Sequence, residues 1–569
     1  MTTFEEPDKG SEGLSFSLHG YQDAVNSSLS ALKEGQVMRR IWDHDHTVWK
    51  PDPAEITNRM GWLHIAEQMI ATVPRIGQFV RDVRNEGYTH ALLLGMGGSS
   101  LAPEVLRKTF GVAQGYLDLA ILDSTDPAAV AAHAHRLDPA RTLLIVSTKS
   151  GTTSETLSFF RYFYNWIVDS LGRERAGDHF IAITDPGSHL TEIAGNYQFR
   201  TTFINDATIG GRYSALSYFG LVPAALVGIN VKHLLENALI MSANCSVGEN
   251  DDGSRLGVVL GQLTKERRDK VTFILSPQIE SFGDWVEQLL AESTGKEGKG
   301  IVPVVGETMG TPDSYESDRL FVSISLGKEE TYRREAKMLE DAGHPVVRIM
   351  LRDVYDMGGQ FFLWEMATTV AGHILGINPF DQPDVESAKI LTGKAVETYK
   401  TEGSLPGLIS KVSDEHMAVY GDLSGEGVAE SLHNFMNSAR EGSYAAIQAY
   451  VQPTDETGTA LQAFRMKIRD AYRVATTVGY GPRFLHSTGQ LHKGDGGRGL
   501  FIQITADNAA DVPIPDIAGE KVSALTFGIL KSAQVLGDWQ ALQAAGRQII
   551  RFHLKGNIVE GISRLREMV

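Results

Sequence analysis

Glu292 ends an apolar run from Phe282 to Leu290, and the chain then breaks into Ser-Thr-Gly-Lys-Glu-Gly-Lys-Gly through Gly300. A carboxylate at a helix-to-loop junction is placed to point into a cleft. Lys296 and Lys299 could hold an anionic substrate within its reach. Taken alone, the stretch also reads as a solvated helix end. A second group crowds five hydroxyls, on Thr148, Ser150, Thr152, Thr153 and Thr156, between an apolar run and a helical one, with Lys149 among them. Free N–H groups and the helix dipole favour an anion there, and capping accounts for only one or two of the hydroxyls. Arg212, after Gly210-Gly211, suits stabilisation of an oxyanion or an interdomain salt bridge. Lys389 follows the proline-rich turn Asn378–Asp384 and by itself reads as a surface lysine. Gly95–Ser100, with Asp123 closing the next strand, resembles a nucleotide-binding loop of a dehydrogenase. A Rossmann fingerprint, however, wants a third glycine where this chain has Ser100, so a tight strand-to-helix turn is the other reading.

These groups need elements to position them. Short continuous apolar runs, as in strands buried on both faces, occur at Ala91–Leu94, Leu119–Asp123, Arg141–Thr148 and His179–Thr184. They alternate with helical segments. After an apolar helix in Gly210–Ile229 and a helical linker over Asn230–Arg268, the alternation restarts. Strands are expected at Val271–Leu275, Ile301–Val305, Leu320–Ser325 and Val346–Leu351, with helices at Phe282–Ala291, Glu329–Ala342, Gln360–Leu375 and Asp384–Tyr399. This is the pattern of doubly wound parallel sheets, two of them in tandem. The expected organisation is a helical segment over 1–75, α/β domains over 76–235 and 236–400, and a C-terminal α/β region over 401–569. In the first segment, Trp42 and Trp49 flank Asp43-His44-Asp45-His46, which reads as a packed connection or, given a third ligand, a metal pair.

The 569 residues exceed one ordinary core, and a formal net charge of −17 argues against nucleic acid or an anionic membrane as the main partner. A single cysteine, Cys245, fits a reducing compartment. Met1–Gly10 is polar and acidic without an apolar signal core, and no apolar run approaches a bilayer-spanning length. The expectation is a cytoplasmic protein with no membrane and no nucleic-acid partner.

Together, the glycine-serine loop, Thr148–Thr156, Gly210–Ile229, Ala291–Lys296 and Phe380–Lys389 resemble the phosphoglucose isomerase family, and the likeness is closest to the isomerase half of bacterial transaldolase–isomerase fusions. The resemblance implies two sugar-isomerase domains and interconversion of glucose 6-phosphate and fructose 6-phosphate. Gly98, Ser99, Thr148, Lys149, Ser150 and Thr153 would hold the sugar phosphate. Glu292 would carry a proton between C2 and C1, Arg212 would stabilise the enediolate, and Lys389 with Gln382 would assist at the ring oxygen. Proton transfer α to a carbonyl needs a placed base and charge stabilisation, and calls for no metal and no redox cofactor. A homodimer or other homo-oligomer is expected. Alternatives are a dual phosphoglucose/phosphomannose isomerase and a sugar-phosphate-binding regulator without catalysis.

One departure stands out. The family's ring-opening histidine follows the glutamate, but no histidine occurs here between Glu292 and His344. The candidates are His344, His486 and His492. Of these, His486 lies in the polar, glycine-flanked stretch Gly481–Gly494, which is expected to fold back over the sugar site from its own or a neighbouring subunit.

Overall fold

The computed structural model describes residues 13–246, 251–327, 329–422 and 425–569. The polar N-terminal decapeptide and residues 247–250 of the expected linker lie outside the described residues.

The described chain opens with a strand, β1 (Leu14–Ser17), inside the segment expected to be helical. Helices do fill much of the rest, including Gln22–Glu34 and Val73–Asn85. The strand escaped sequence reading because its cause is long-range: it caps the open edge of a sheet more than 300 residues away, pairing Leu14 with Ile349 and Phe16 with Val347.

The first lobe is an all-parallel sheet of β2 (His90–Gly95), β3 (Asp118–Leu122), β4 (Thr142–Ser147), β5 (Phe180–Thr184) and β6 (Thr201–Ile204), in the order β3-β2-β4-β5-β6. The order reverses between β2 and β4, so the loops leaving their carboxyl ends diverge and open a crevice. Those are the glycine-serine loop and the hydroxyl-rich loop. The second lobe pairs β7 (Lys270–Leu275), β8 (Val302–Val304), β9 (Arg319–Leu326) and β10 (Val346–Leu351) in parallel, in the order β10-β9-β7-β8, with β1 antiparallel at the edge. One apolar core, running from Leu14 to Phe380, joins the two lobes. The helix expected over Gly210–Ile229 is shorter, Tyr218–Leu226, after a single turn at Gly211–Tyr213.

Residues 401–569 build a third sheet with its own core. Its strands are β11 (Val412–Ser413), β12 (Met417–Tyr420), β13 (Tyr444–Tyr450), β14 (Ala475–Tyr480), β15 (Gly499–Ala506) and β18 (Gln548–Leu554). They stand in the order β11-β12-β18-β15-β13-β14. A strap carrying the short pair β16 (Pro513–Ile514) and β17 (Leu525–Thr526) lies on the first lobe, where Phe527 stacks on Phe159 at 5.7 Å.

A buried ionic network fastens this region to the second lobe. Arg319 Nη1 donates to Glu307 Oε1 at 3.2 Å and to Thr272 Oγ1 at 2.8 Å, while Glu307 Oε2 accepts from Thr476 of β14 at 2.8 Å. Arg465 donates to Val305 O and Thr476 O. Burial would raise the Glu307 carboxyl, but Arg319 and then Arg465 outweigh it and hold it below the ordinary range. Removing one partner of a buried pair strands the other. Glu307→Ala is therefore expected to lower stability by about 3–5 kcal/mol in urea unfolding followed by tryptophan fluorescence. A loss below about 1 kcal/mol, the range of surface pairs, would show that the network does not fasten the two regions.

Candidate active site

All eleven residues assigned to the site from the sequence line one cavity of about 500 Å³. Its floor is the crevice at the carboxyl ends of β2 and β4. Gly98 belongs there for its missing side chain, since a Cβ would sit 2.0 Å from Gly211 O, and only glycine lets the two loops meet. Ser99 is buried beside it.

The hydroxyl loop leads into the helix Ser154–Leu171, whose cap residue Thr153 makes no side-chain capping bond. The Thr153 hydroxyl instead meets Thr148 Oγ1 at 3.0 Å, and Ser150 Oγ meets Thr152 Oγ1 at 2.9 Å. The first-turn N–H groups thus have no side-chain cap. Of the five hydroxyls, those of Thr148, Ser150 and Thr153 line the cavity, whereas Thr156 is fully buried within the helix. Lys149 lines it too, but its Nζ pairs with Asp185 and donates to Ala207 O at 3.0 Å, so its charge is already compensated.

Glu292 faces this floor from the last turn of the helix Phe282–Thr294. Both carboxylate oxygens are held: Oε1 accepts from Arg212 Nη1 at 3.0 Å and Oε2 from Gln288 Nε2 at 3.0 Å. Arg212 is 2% exposed. It donates also to Ser293 Oγ, Gln382 Oε1, Pro379 O and Asp381 O. Lys389 stands at the exposed rim, 3.7 Å from Glu386.

Neither of the two lysines after Glu292 lines this cavity. Lys296 is buried, donating to Asn378 O at 2.8 Å and Asp381 Oδ1 at 2.7 Å. Burial first, and then Arg212, lower it to about 8. Lys299 lines a different cavity. The glycines around them turn the chain so that Lys296 points inward and Lys299 away, a detail that spacing does not carry. Asp123, the ribose-binding acid of the dehydrogenase reading, accepts from Ser100 Oγ at 3.1 Å, lies 3.5 Å from Arg483 Nε, and is not among the residues lining the site.

His486 enters the cavity from the same chain, on the single turn Arg483–His486 after β14. Its Nε2 lies 3.0 Å from Glu155 Oε1, which also accepts from Gln534 Nε2 at 2.8 Å. Burial would raise the Glu155 carboxyl, but the charge and hydrogen bond of His486 hold it down to about 2. Gln288 Nε2 donates to His486 O at 2.8 Å, so one amide touches both Glu292 and the His486 turn. Sequence reading missed Gln288, Glu155, Asp185 and Arg59, which also lines the cavity. Gln288 was findable, because it lies one helical turn before Glu292. His492 is buried against Phe501 and His344 against Phe321, and neither lines the cavity. Near the N-terminus, the tryptophan anchors are plain: Trp42 Nε1 donates to Cys245 O and Trp49 Nε1 to Thr369 O.

Two parallel-sheet lobes in tandem thus share one crevice. Residues 63–302 match the family model of phosphoglucose isomerase. The glucose-6-phosphate isomerase of Rubrobacter xylanophilus is 28% identical over 362 residues, 54% of this chain and 83% of that protein. That of Carboxydothermus hydrogenoformans is 25% identical over 437 residues, 66% and 89% of the two chains. Over that segment and against these relatives, the chain is similar to phosphoglucose isomerases. In fold, the chain is similar to a hypothetical protein from Thermus thermophilus, with TM-score 0.59 and 24% identity over 67% of this chain and 99% of that one. It is likewise similar to a glucose-6-phosphate isomerase from Chlamydia trachomatis, with TM-score 0.58 and 17% identity over 70% and 90%.

On the opposite side of the glutamate helix, Asp284 and Glu287 line a larger cavity of about 1120 Å³. Burial first, then the Asp284 carboxylate, push the Glu287 carboxyl up to about 8. The folded-state value lies above the unfolded one, so this group's contribution to stability is complete below the ordinary carboxylate range and is lost as pH rises toward 8. Glu287→Gln should therefore match the parent in urea unfolding near pH 4 and surpass it near pH 9. The same difference at both pH values would refute a raised Glu287 carboxyl.

Proposed function

We propose that this protein interconverts glucose 6-phosphate and fructose 6-phosphate, with Glu292 as the proton carrier. The observation that carries this reading is Glu292 itself, its carboxylate fixed by Arg212 and Gln288 and opposed across one cavity by an uncapped, hydroxyl-lined helix start. The phosphoryl group sits on Ser150, Thr153, Thr148 and the N–H groups of that turn. The Glu292 carboxylate removes the C2 proton as the C1 carbonyl oxygen takes up charge, giving an enediolate. A proton passes from the C2 hydroxyl to the C1 oxygen, and Glu292 then returns its own proton to C1 as the C2 oxygen becomes the carbonyl. Arg212, desolvated and rigid, supplies positive potential beside the developing charge. Lys389 and Gln382 approach the ring end of the sugar. On this reading residues 76–235 hold the phosphate, 236–400 supply the base and 401–569 cover the site. The single cysteine supports a cytoplasmic setting.

A coupled assay converting fructose 6-phosphate to glucose 6-phosphate tests the reading directly, and absence of turnover overturns it. Glu292→Gln keeps the shape and the contact to Arg212 but loses the base. It should lower kcat by about a thousandfold, within the usual contribution of a general base, and leave KM within about threefold. Near-parental kcat would remove Glu292 from the chemistry.

We further assign ring opening to His486. Its Nε2 is committed to Glu155, which leaves Nδ1 to exchange a proton with the ring oxygen. His486→Ala should slow turnover of the cyclic sugar by about a hundredfold while preserving solvent-proton exchange on an open-chain analogue. Equal loss of both activities, or loss of neither, would exclude this role.

A further inference from the structure

The chain carries a formal charge of −17, yet cations gather at one place away from the sugar site. A cavity of about 560 Å³ lies between the second lobe and the C-terminal region, ringed by Lys265, Lys299 and Arg498 with Arg267 at its mouth and Lys270 beneath. The two carboxylates that line it are engaged. Asp269 Oδ1 takes Lys270 Nζ at 2.7 Å, while Asp495 takes Arg547 at 3.1 Å and the Tyr444 hydroxyl at 3.0 Å. Lys270, fully buried, also donates to Gly442 O at 2.7 Å. Arg498 lies against the same Gly442, where a Cβ would meet its Nη1 at 2.2 Å. Arg267 is 3.5 Å from Glu441. Lys299 donates to the Leu375 carbonyl at 2.8 Å, which leaves its charge uncompensated. Lys265, Lys299 and Arg498 have no carboxylate partner among the described residues. Three cations without a counter-charge around a cavity of small-molecule size match a compact ligand with more than one anionic group.

The cavity wall also touches the machinery of the sugar site. Lys299 lies on the turn that leaves the glutamate helix, three residues beyond Lys296, which holds Asp381 beside Gln382. In the same turn Gly298 N donates to Gly494 O at 3.0 Å, and Gly295 O accepts from Gln490 Nε2 at 2.8 Å. Gln490 and Gly494 belong to the segment that begins with the His486 turn. A ligand drawing Lys299 inward therefore acts on the supports of both Glu292 and His486.

We propose that this cavity is a regulatory site for a small polyphosphorylated anion, and that its occupancy shifts the arrangement of the sugar site. Inorganic pyrophosphate is the probe, with binding read by isothermal titration at low salt on the full chain. Ser150→Ala/Thr153→Ala removes the competing anion loop. Binding is expected to survive in that variant and to weaken at least about tenfold in Lys265→Glu/Arg498→Glu, since each lost charge-assisted contact is worth about a factor of ten. Lys265→Ala/Arg498→Ala, with parental thermal unfolding, controls for folding and should weaken binding less. No binding to the parent, binding unchanged in both Lys265/Arg498 variants, or binding abolished by Ser150→Ala/Thr153→Ala would each overturn the site. Because binding is read without turnover, its outcome is independent of the isomerase reading. In the isomerase assay, pyrophosphate should change kcat of the parent and, at the same concentration, not of Lys265→Glu/Arg498→Glu. Purely competitive inhibition of both would overturn the coupling.

Discussion

One buried guanidinium organises the centre of this molecule. Arg212 donates to Ser293 and Glu292 at the end of one helix, to Gln382, and to the carbonyls of Pro379 and Asp381. An arginine at 2% exposure is tolerable only if its donors are satisfied and its charge is balanced. That requirement fixes three segments of chain relative to one another. The loop after the first lobe, the end of the glutamate helix and the 378–382 turn must all arrive together, or the charge is stranded. The planar fork of arginine suits this and a lysine would not. The nearby Lys296 repeats the device with a point charge, fastening Asn378 and Asp381 from the other side.

The tandem lobes were legible because their cause is local. Strands buried on both faces need unbroken apolar runs, and of the nine parallel strands of the two lobes all but β6 start and end within one residue of those runs. The order of the strands then places two particular loops at the crevice, and those loops carried the hydroxyls and glycines that drew attention. What was not legible depended on contacts far apart in sequence. β1 exists to cover the edge of β10, and nothing in Leu14–Ser17 announces it. Lys296 and Lys299, three residues apart, point to different places because a glycine-rich turn separates them. The pairing of His486 with Glu155 spans 331 residues, and only the fold of the third region brings the two together.

That third region is more than an appendage. Its helix Phe527–Ala544 supplies Gln534, which takes the Thr125 hydroxyl at 2.6 Å and passes an N–H to Glu155 at 2.8 Å. The first lobe, the C-terminal helix and the His486 turn are thereby linked through one carboxylate. Glu155 is buried, and an unpaired carboxylate there would be costly. The histidine and the amide that stabilise it both come from residues beyond 480. The covering region and the hydroxyl loop of one chain thus meet through that carboxylate.

The hydroxyl loop proposed to hold the phosphate is built on dipoles more than on charge. Lys149, the obvious cation, is tied to Asp185 and to a carbonyl, so it brings little net charge to the cavity. What remains is a helix start whose cap hydroxyl has turned away to Thr148, with serine and threonine hydroxyls bonded to one another in pairs. Hydroxyls so paired are already oriented. To receive an anion they exchange one hydrogen-bond partner for another, without drawing a long side chain out of solvent. Such a loop loses little conformational entropy on binding. On the proposed reading, this leaves the buried Arg212 charge on the opposite wall beside Glu292, where charge would develop during proton transfer and not where the substrate is merely held.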